Sequence, residues 1–196
     1  MSRIPAVAPK DASLLVRVAY RFAHRRLGEV PEPFAVTAHH RKLFVAAARH
    51  ELAVEKATNV VPKNIVQLAV YRTAWTVGCS WCVDFGTMLI RHDGLDVERL
   101  KHISDFETSD AFSDEERDAI RYADAMTSTP MTVTDDQVAT LVDRYGHDGV
   151  VELTYQIALE NQRSRFNHAL GITDQGFSSG DTCRVPWDVD ELATSA

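Results

Sequence analysis

The chain has 196 residues, 45% hydrophobic and 25% charged, ordinary values for one globular domain that can bury a core without a disulfide framework or structural metal. Lysine and arginine number 21 against 28 aspartates and glutamates, a formal net charge of −7, which disfavours a nucleic-acid partner because neutralising phosphates needs clustered basic charge. No stretch approaches the ~18 consecutive apolar residues of a membrane span, and the opening MSRIPAVAPKDAS lacks the apolar run of roughly 7–15 residues found in a signal peptide, so the expected setting is the reducing cytoplasm.

Residues 1–10 carry two prolines and no apolar period, and read as a loose arm. From Asp11 to Leu27 the apolar positions Leu14, Leu15, Val18, Ala19 and Phe22 recur at three and four, which predicts an amphipathic helix ended by Gly28 and a Pro31-Glu32-Pro33 turn. His24-Arg25-Arg26 and His39-His40-Arg41-Lys42 are short basic runs within apolar helix and read as solvated faces. A second helix spans about Arg41 to Thr58 on Leu43, Phe44, Ala47, Leu52 and Val54. A third opens near Pro62 and runs through Ile65, Leu68, Ala69, Arg72 and Trp75, with Gly78 placed as its C-terminal cap. The next begins just past Gly78 and continues to about Arg91, where Asp93-Gly94 breaks it.

After a polar connection, Ser113-Asp114-Glu115-Glu116 reads as a capping box, and the helix behind it ends before Pro130. Thr134-Asp135-Asp136-Gln137 is a second box, opening a helix to about Tyr145; a last helix covers about Gly149 to Leu170 and stops at Gly171. With no alternating strand run and no internal repeat, the expected fold is a single-domain, all-α helical bundle. Its parts are an N-terminal arm and helix over 1–39, a helical core over 40–172 and an extended tail over 173–196.

The sharp chemical feature is Cys79-Ser80-Trp81-Cys82, two thiols three residues apart at the start of a predicted helix. There the unpaired N–H groups and the dipole favour a thiolate, the form that attacks a peroxide or a disulfide, and a second thiol in reach can close a disulfide on the intermediate. Two duller readings stand beside redox chemistry. A closed zinc site needs about four protein ligands, yet the remaining cysteine, Cys183, is distant and no histidine has partner spacing, so no metal is expected. Alternatively both thiols pack as small apolar groups.

The run from Ile65 to Arg91, IVQLAVYRTAWTVGCSWCVDFGTMLIR, resembles the core of the carboxymuconolactone decarboxylase superfamily, and within it the two-Cys alkylhydroperoxidase-D-like branch. The likeness extends through Phe112-Ser113-Asp114-Glu115-Glu116-Arg117 to Arg165-Phe166-Asn167-His168-Ala169-Leu170-Gly171, roughly residues 40 to 172. It implies an all-helical fold, an obligate homo-oligomer and thiol-dependent reduction of hydroperoxides without a cofactor. By the same resemblance Cys82 becomes the sulfenic acid and Cys79 resolves it, with a small-molecule hydroperoxide and a thiol reductant as partners. The sequence departs from the branch twice. The relay histidine, four residues after the second cysteine, is Gly86, and the relay glutamate, twelve before the first, is Gln67.

Among replacements for that relay, Asp84 lies about 200° around the helix from Cys82 and would raise its pKa, and His92 lies about 15 Å along the axis. His50 and His168 sit on other helices and could be brought near by folding. The expected Cys82 pKa is about 7–8.5, below the ~8.5 of a free cysteine yet only mildly lowered. Trp75 and Trp81 read as core aromatics, Trp81 also as a wall for an apolar peroxide; Arg72 reads as a salt-bridge partner sooner than a neighbour of the thiolate, and Cys183 as a free exposed thiol. The leading function is a hydroperoxide reductase. The alternative is a non-catalytic, oligomeric ligand-binding or redox-sensing protein that kept the fold and lost the relay. True lactone decarboxylation has no dedicated dicarboxylate site behind it.

Overall fold

Most helices begin where the sequence supplies a cap. In the computed structural model, which describes residues 2–178 and residue 185, the elements are α1 Leu14–Leu27, α2 Glu32–Thr37, α3 Arg41–Ala57, α4 Lys63–Val77, α5 Ser80–His92, a 3₁₀ helix Glu98–Asp105, α6 Asp114–Thr127 and α7 Asp135–Ala169. No strand occurs among the described residues, so the chain is all-α. Both capping boxes form: Ser113 Oγ accepts from the Glu116 N–H while Glu116 reaches back to the Ser113 N–H, and Thr134 and Gln137 repeat the exchange. Gly146, at φ 68°, breaks α7 inside its span, which separates the two helices expected on either side of it. Of the predicted tail, residues 173–178 and 185 are described; Cys183 and the rest lie outside the described residues.

Two elements escape the apolar-period reading. The Pro31-Glu32-Pro33 turn opens α2, because proline's fixed φ suits a first helical turn where an N–H is not needed. The polar connection after α5 contains the 3₁₀ helix, whose three-residue period places Leu100 and Ile103 on one buried edge.

On α1 the buried face is not the stripe that the spacing selects. Val16, Tyr20 and Ala23 are buried, whereas Leu14, Val18 and Phe22 are 68%, 52% and 56% exposed. Tyr20 decides the rotation: its ring packs among Phe34 and Phe44, and its hydroxyl donates to Val7 O at 3.0 Å. The helix therefore carries two apolar faces and uses one within the chain.

α4 is the central helix, packed against α5, α6 and α7. One side meets Ala119 and Ala123 of α6 and Leu153 and Ile157 of α7 in a core with near-zero exposure. Its other side joins α5, the 3₁₀ helix and Ile172 around the cysteines. Arg72 of α4 forks onto Asp124 of α6 at 2.7 and 2.9 Å and donates to Ile103 O at 2.6 Å, so it is a packing ion pair between helices. The expected loose arm is tied down. Arg3 N–H donates to Leu170 O and its guanidinium to Ala169 O, both at 2.7 Å, and Val7 N–H donates to Ala35 O at 3.1 Å.

Candidate redox site at the start of helix α5

The turn between α4 and α5 is built by Gly78. Its φ of 82° lets its N–H close on Ala74 O and Trp75 O, so α4 ends there and the chain reverses within a residue. Cys79 then takes the N-cap position of α5 and Cys82 the third helical position. The Cys79 sulfur accepts from the Cys82 N–H at 3.2 Å, the role a serine or aspartate oxygen usually fills. The two Cα atoms are 5.3 Å apart and the sulfurs are joined in a disulfide. Both residues are buried, at 2% and 8% exposure.

Facing the sulfurs is one stripe of α7. Leu153 and Ile157 belong to the apolar core; the same face then continues at Glu160, Ser164 and Asn167, all buried. Asn167 Nδ2 donates to Cys82 Sγ at 3.3 Å and lies 3.6 Å from Cys79 Sγ. Ser164 Oγ is 3.5 Å from Cys82 Sγ and donates to Glu160 Oε1 at 2.9 Å. Burial pushes the Glu160 carboxyl up from 4.5 to about 7, against the pull of Arg163, whose Nη1 is 3.3 Å from Glu160 Oε2. Arg163 is itself held by Glu51 of α3. Such a setting suits thiol–disulfide chemistry: neutral donors and a helix N-terminus stabilise a thiolate on Cys82, and Cys79 is within bonding reach.

The sequence-predicted residues divide cleanly. Cys79 and Cys82 are the centre. Trp81 lies on the far side of α5, stacked on Phe85 at 4.8 Å and edge-on to Phe177, with Nε1 donating to Gln175 Oε1 at 2.7 Å. Asp84 also points away from the sulfurs, accepting from the N–H groups of Gln175, Phe177 and Ser178 and from the Ser178 hydroxyl at 2.7–3.0 Å. Gly86 packs against α4, where a Cβ would lie 3.4 Å from the Tyr71 ring. Gln67 is not a neighbour of the sulfurs: its amide donates to Asp93, past the C-terminal end of α5 and about 16 Å along the axis from Cys82.

His50 hydrogen-bonds Tyr155 at the surface at 2.7 Å, and among the described residues neither His50 nor His168 bonds to a sulfur. No group of three or more metal-ligating side chains gathers among the described residues, and no helix there is long and apolar enough to cross a membrane. Reading the sequence alone misses Glu160 and Ser164, and sees Asn167 only as part of a family-like helix. The available signal is the interruption of a buried stripe, Leu153-Ile157, by polar residues in the same register.

The sequence profile of the carboxymuconolactone decarboxylase family matches residues 41–125. The uncharacterized protein YnjA of Escherichia coli (strain K12) is 30% identical over 187 residues, 95% of each chain. The debrominase Bmp8 superposes with a TM-score of 0.78 at 18% identity over 96% of this chain and 97% of its own. A peroxidase-related protein of Ralstonia eutropha JMP134 with an alkylhydroperoxidase AhpD core gives 0.76 at 16% identity, over 92% and 96%. At these identities the two structures speak for the fold.

Proposed function

This chain belongs to the carboxymuconolactone decarboxylase family, and from that premise we propose that it is of the alkylhydroperoxidase-D-like kind, a thiol-dependent hydroperoxide reductase working through Cys82 and Cys79. The supporting observation is the disulfide at the N-terminus of α5, with the Cys82 sulfur accepting from Asn167 Nδ2 and lying 3.5 Å from Ser164 Oγ. The Cys82 thiolate attacks the outer oxygen of ROOH; the S–O bond forms, the O–O bond breaks and the alcohol leaves with a proton. Cys79 attacks the sulfur of the sulfenic acid, expelling water and closing the disulfide. A dithiol reductant reopens it by exchange and is itself oxidised.

The direct test counts thiols. Reduced protein mixed with an organic hydroperoxide should lose two thiols per chain, and Cys82→Ser should lose none. Persistence of both thiols, or equal loss in Cys82→Ser, sinks the reading. It would favour a non-catalytic redox-sensing or ligand-binding role, to which Gly86 and the remoteness of Gln67 from the sulfurs lend support. We further propose a homo-oligomer, supported by the family and by the unused apolar face of α1, Leu14, Leu15, Val18 and Phe22.

A further inference from the structure

We propose that Glu160, acting through the Ser164 hydroxyl, takes the proton of the Cys82 thiol and returns it to the oxygen that leaves when Cys82 attacks a peroxide. The second half rests on the hydroperoxide reading above; the first does not. The geometry is a two-step chain on one face of α7: Cys82 Sγ to Ser164 Oγ at 3.5 Å, and Ser164 Oγ to Glu160 Oε1 at 2.9 Å. All three residues are buried, with Ser164 at zero exposure. A serine hydroxyl is both donor and acceptor, so the reduced thiol donates to Ser164 Oγ while Ser164 donates to the carboxylate. Shifting both protons one place gives a Cys82 thiolate and a neutral Glu160, with the net charge of the pair unchanged. When the O–O bond breaks, Ser164 protonates the departing alkoxide and is reprotonated by Glu160, so the proton removed from sulfur ends on the alcohol. A leaving alkoxide needs such a proton far more than a leaving halide does.

The device is chain-specific in its placement. The positions of the branch's relay residues hold Gly86 and Gln67, which meet Tyr71 and Asp93. A polar triad on α7 reaches the same sulfur from the other side. Facing Glu160 are Arg163 of its own helix, Glu51 of α3 through that arginine, and the cysteine pair of α5. Burial raises the carboxyl while Arg163 restrains the rise, which leaves Glu160 able to exchange a proton near neutral pH. Because Glu160 and Cys82 lie close together, their protons leave in steps that belong to the pair.

The experiment uses full-length reduced protein carrying Cys79→Ser and Cys183→Ser, so that Cys82 alone reacts. Two reagents are compared at pH 7: iodoacetamide, whose iodide leaves without a proton, and cumene hydroperoxide, with the sulfenic acid trapped by dimedone. Glu160→Gln should slow sulfenic acid formation about 100-fold while alkylation stays level or rises, because a negative charge beside the thiolate is gone. Ser164→Ala should slow the peroxide step in the same direction. Alkylation of the parent against pH should rise in two steps, and that of Glu160→Gln in one. Peroxide reduction at the parent rate in both variants, or an equal fall in both reactions, overturns the proposal. If even the parent ignores peroxide, the hydroperoxide reading fails and the alkylation profiles decide alone. A collapse from two steps to one then supports proton sharing, and superimposable profiles overturn it.

Discussion

Asn167 Nδ2 stands 3.3 Å from Cys82 Sγ, so a side chain 85 residues downstream supplies a neutral N–H to the sulfur. Neutral donors lower a thiol pKa without adding a charge that must itself be balanced in the interior. Hydrogen bonds to charged groups are worth about 1.5–3 kcal/mol, or roughly 1–2 pKa units. Asn167→Ala should raise the Cys82 pKa by about that much, and Asn167→Asp, of the same size but acidic, should raise it further. Iodoacetamide alkylation against pH, in protein whose remaining cysteines are serine, reads the value. Profiles that overlay the parent's would show that Asn167 fills space beside the sulfur without stabilising its charge.

Asp84 does its work on the other side of α5. Its buried carboxylate accepts from three backbone N–H groups and one hydroxyl of residues 175–178, fastening that segment against the helix beside Trp81 and Phe177. Asp84→Asn keeps the volume but turns an NH₂ toward those donors, leaving at least one unsatisfied at a cost of about 1–3 kcal/mol. The variant should unfold at lower urea with an unchanged slope, and the Gln175 and Phe177 amides should exchange faster. An unaltered urea midpoint with full amide protection would mean that the segment is held by its aromatic packing alone.

Sequence and structure agree where a local signal carried the information. Ser113 with Glu116, Thr134 with Gln137 and the left-handed Gly78 each fix a helix end through a few residues, and each is legible as a pattern. The same holds for Cys79 and Cys82, whose spacing alone places them within bonding reach. What stayed hidden depends on tertiary choice. α1 offers two apolar stripes, and only the contacts of Tyr20 with Phe34 and Phe44 select one. Glu160 and Ser164 look like surface polar residues on an amphipathic helix until α7 is seen to cross α5, with the sulfurs against that stripe. Gln67 is the converse: twelve residues before Cys79, it lies beside the far end of α5 because α4 and α5 run antiparallel.

The exposed stripe of α1 bears on assembly. Val18 and Phe22 are separated by one helical turn, 52% and 56% exposed, and flanked by Leu14 and Leu15. An apolar patch of this kind on a helix otherwise rich in charge suits another protein surface, and under the proposed homo-oligomer that surface is a second copy of the chain. The wild-type protein should sediment as a species heavier than 21.9 kDa at micromolar concentration, and Val18→Asp with Phe22→Asp should shift it toward the single-chain mass. A wild-type protein that runs as a clean single chain would rule the assembly out.

Glu160 sets a pH dependence of stability whose sign follows from burial. Its carboxyl is raised from 4.5 to about 7, so between those values the folded state holds a proton that the unfolded chain has released. Stability from this group is therefore fully present below pH 4.5 and is lost as pH rises through about 7. The full swing is of the order of 3 kcal/mol, since each pKa unit is worth about 1.4 kcal/mol. Glu160→Gln keeps the shape and an acceptor for Ser164 but cannot ionise, so its stability should be flatter across that window. Near pH 5 the two proteins should unfold at similar urea concentrations, and near pH 8 the variant should be the more stable. Urea melts at both pH values, with Cys79 and Cys82 reduced throughout so that the disulfide does not differ, measure the gap. A gap that stays constant from pH 5 to pH 8 would mean that Glu160 remains ionised in the fold, paired with Arg163, and is too weak a base to take the Cys82 proton.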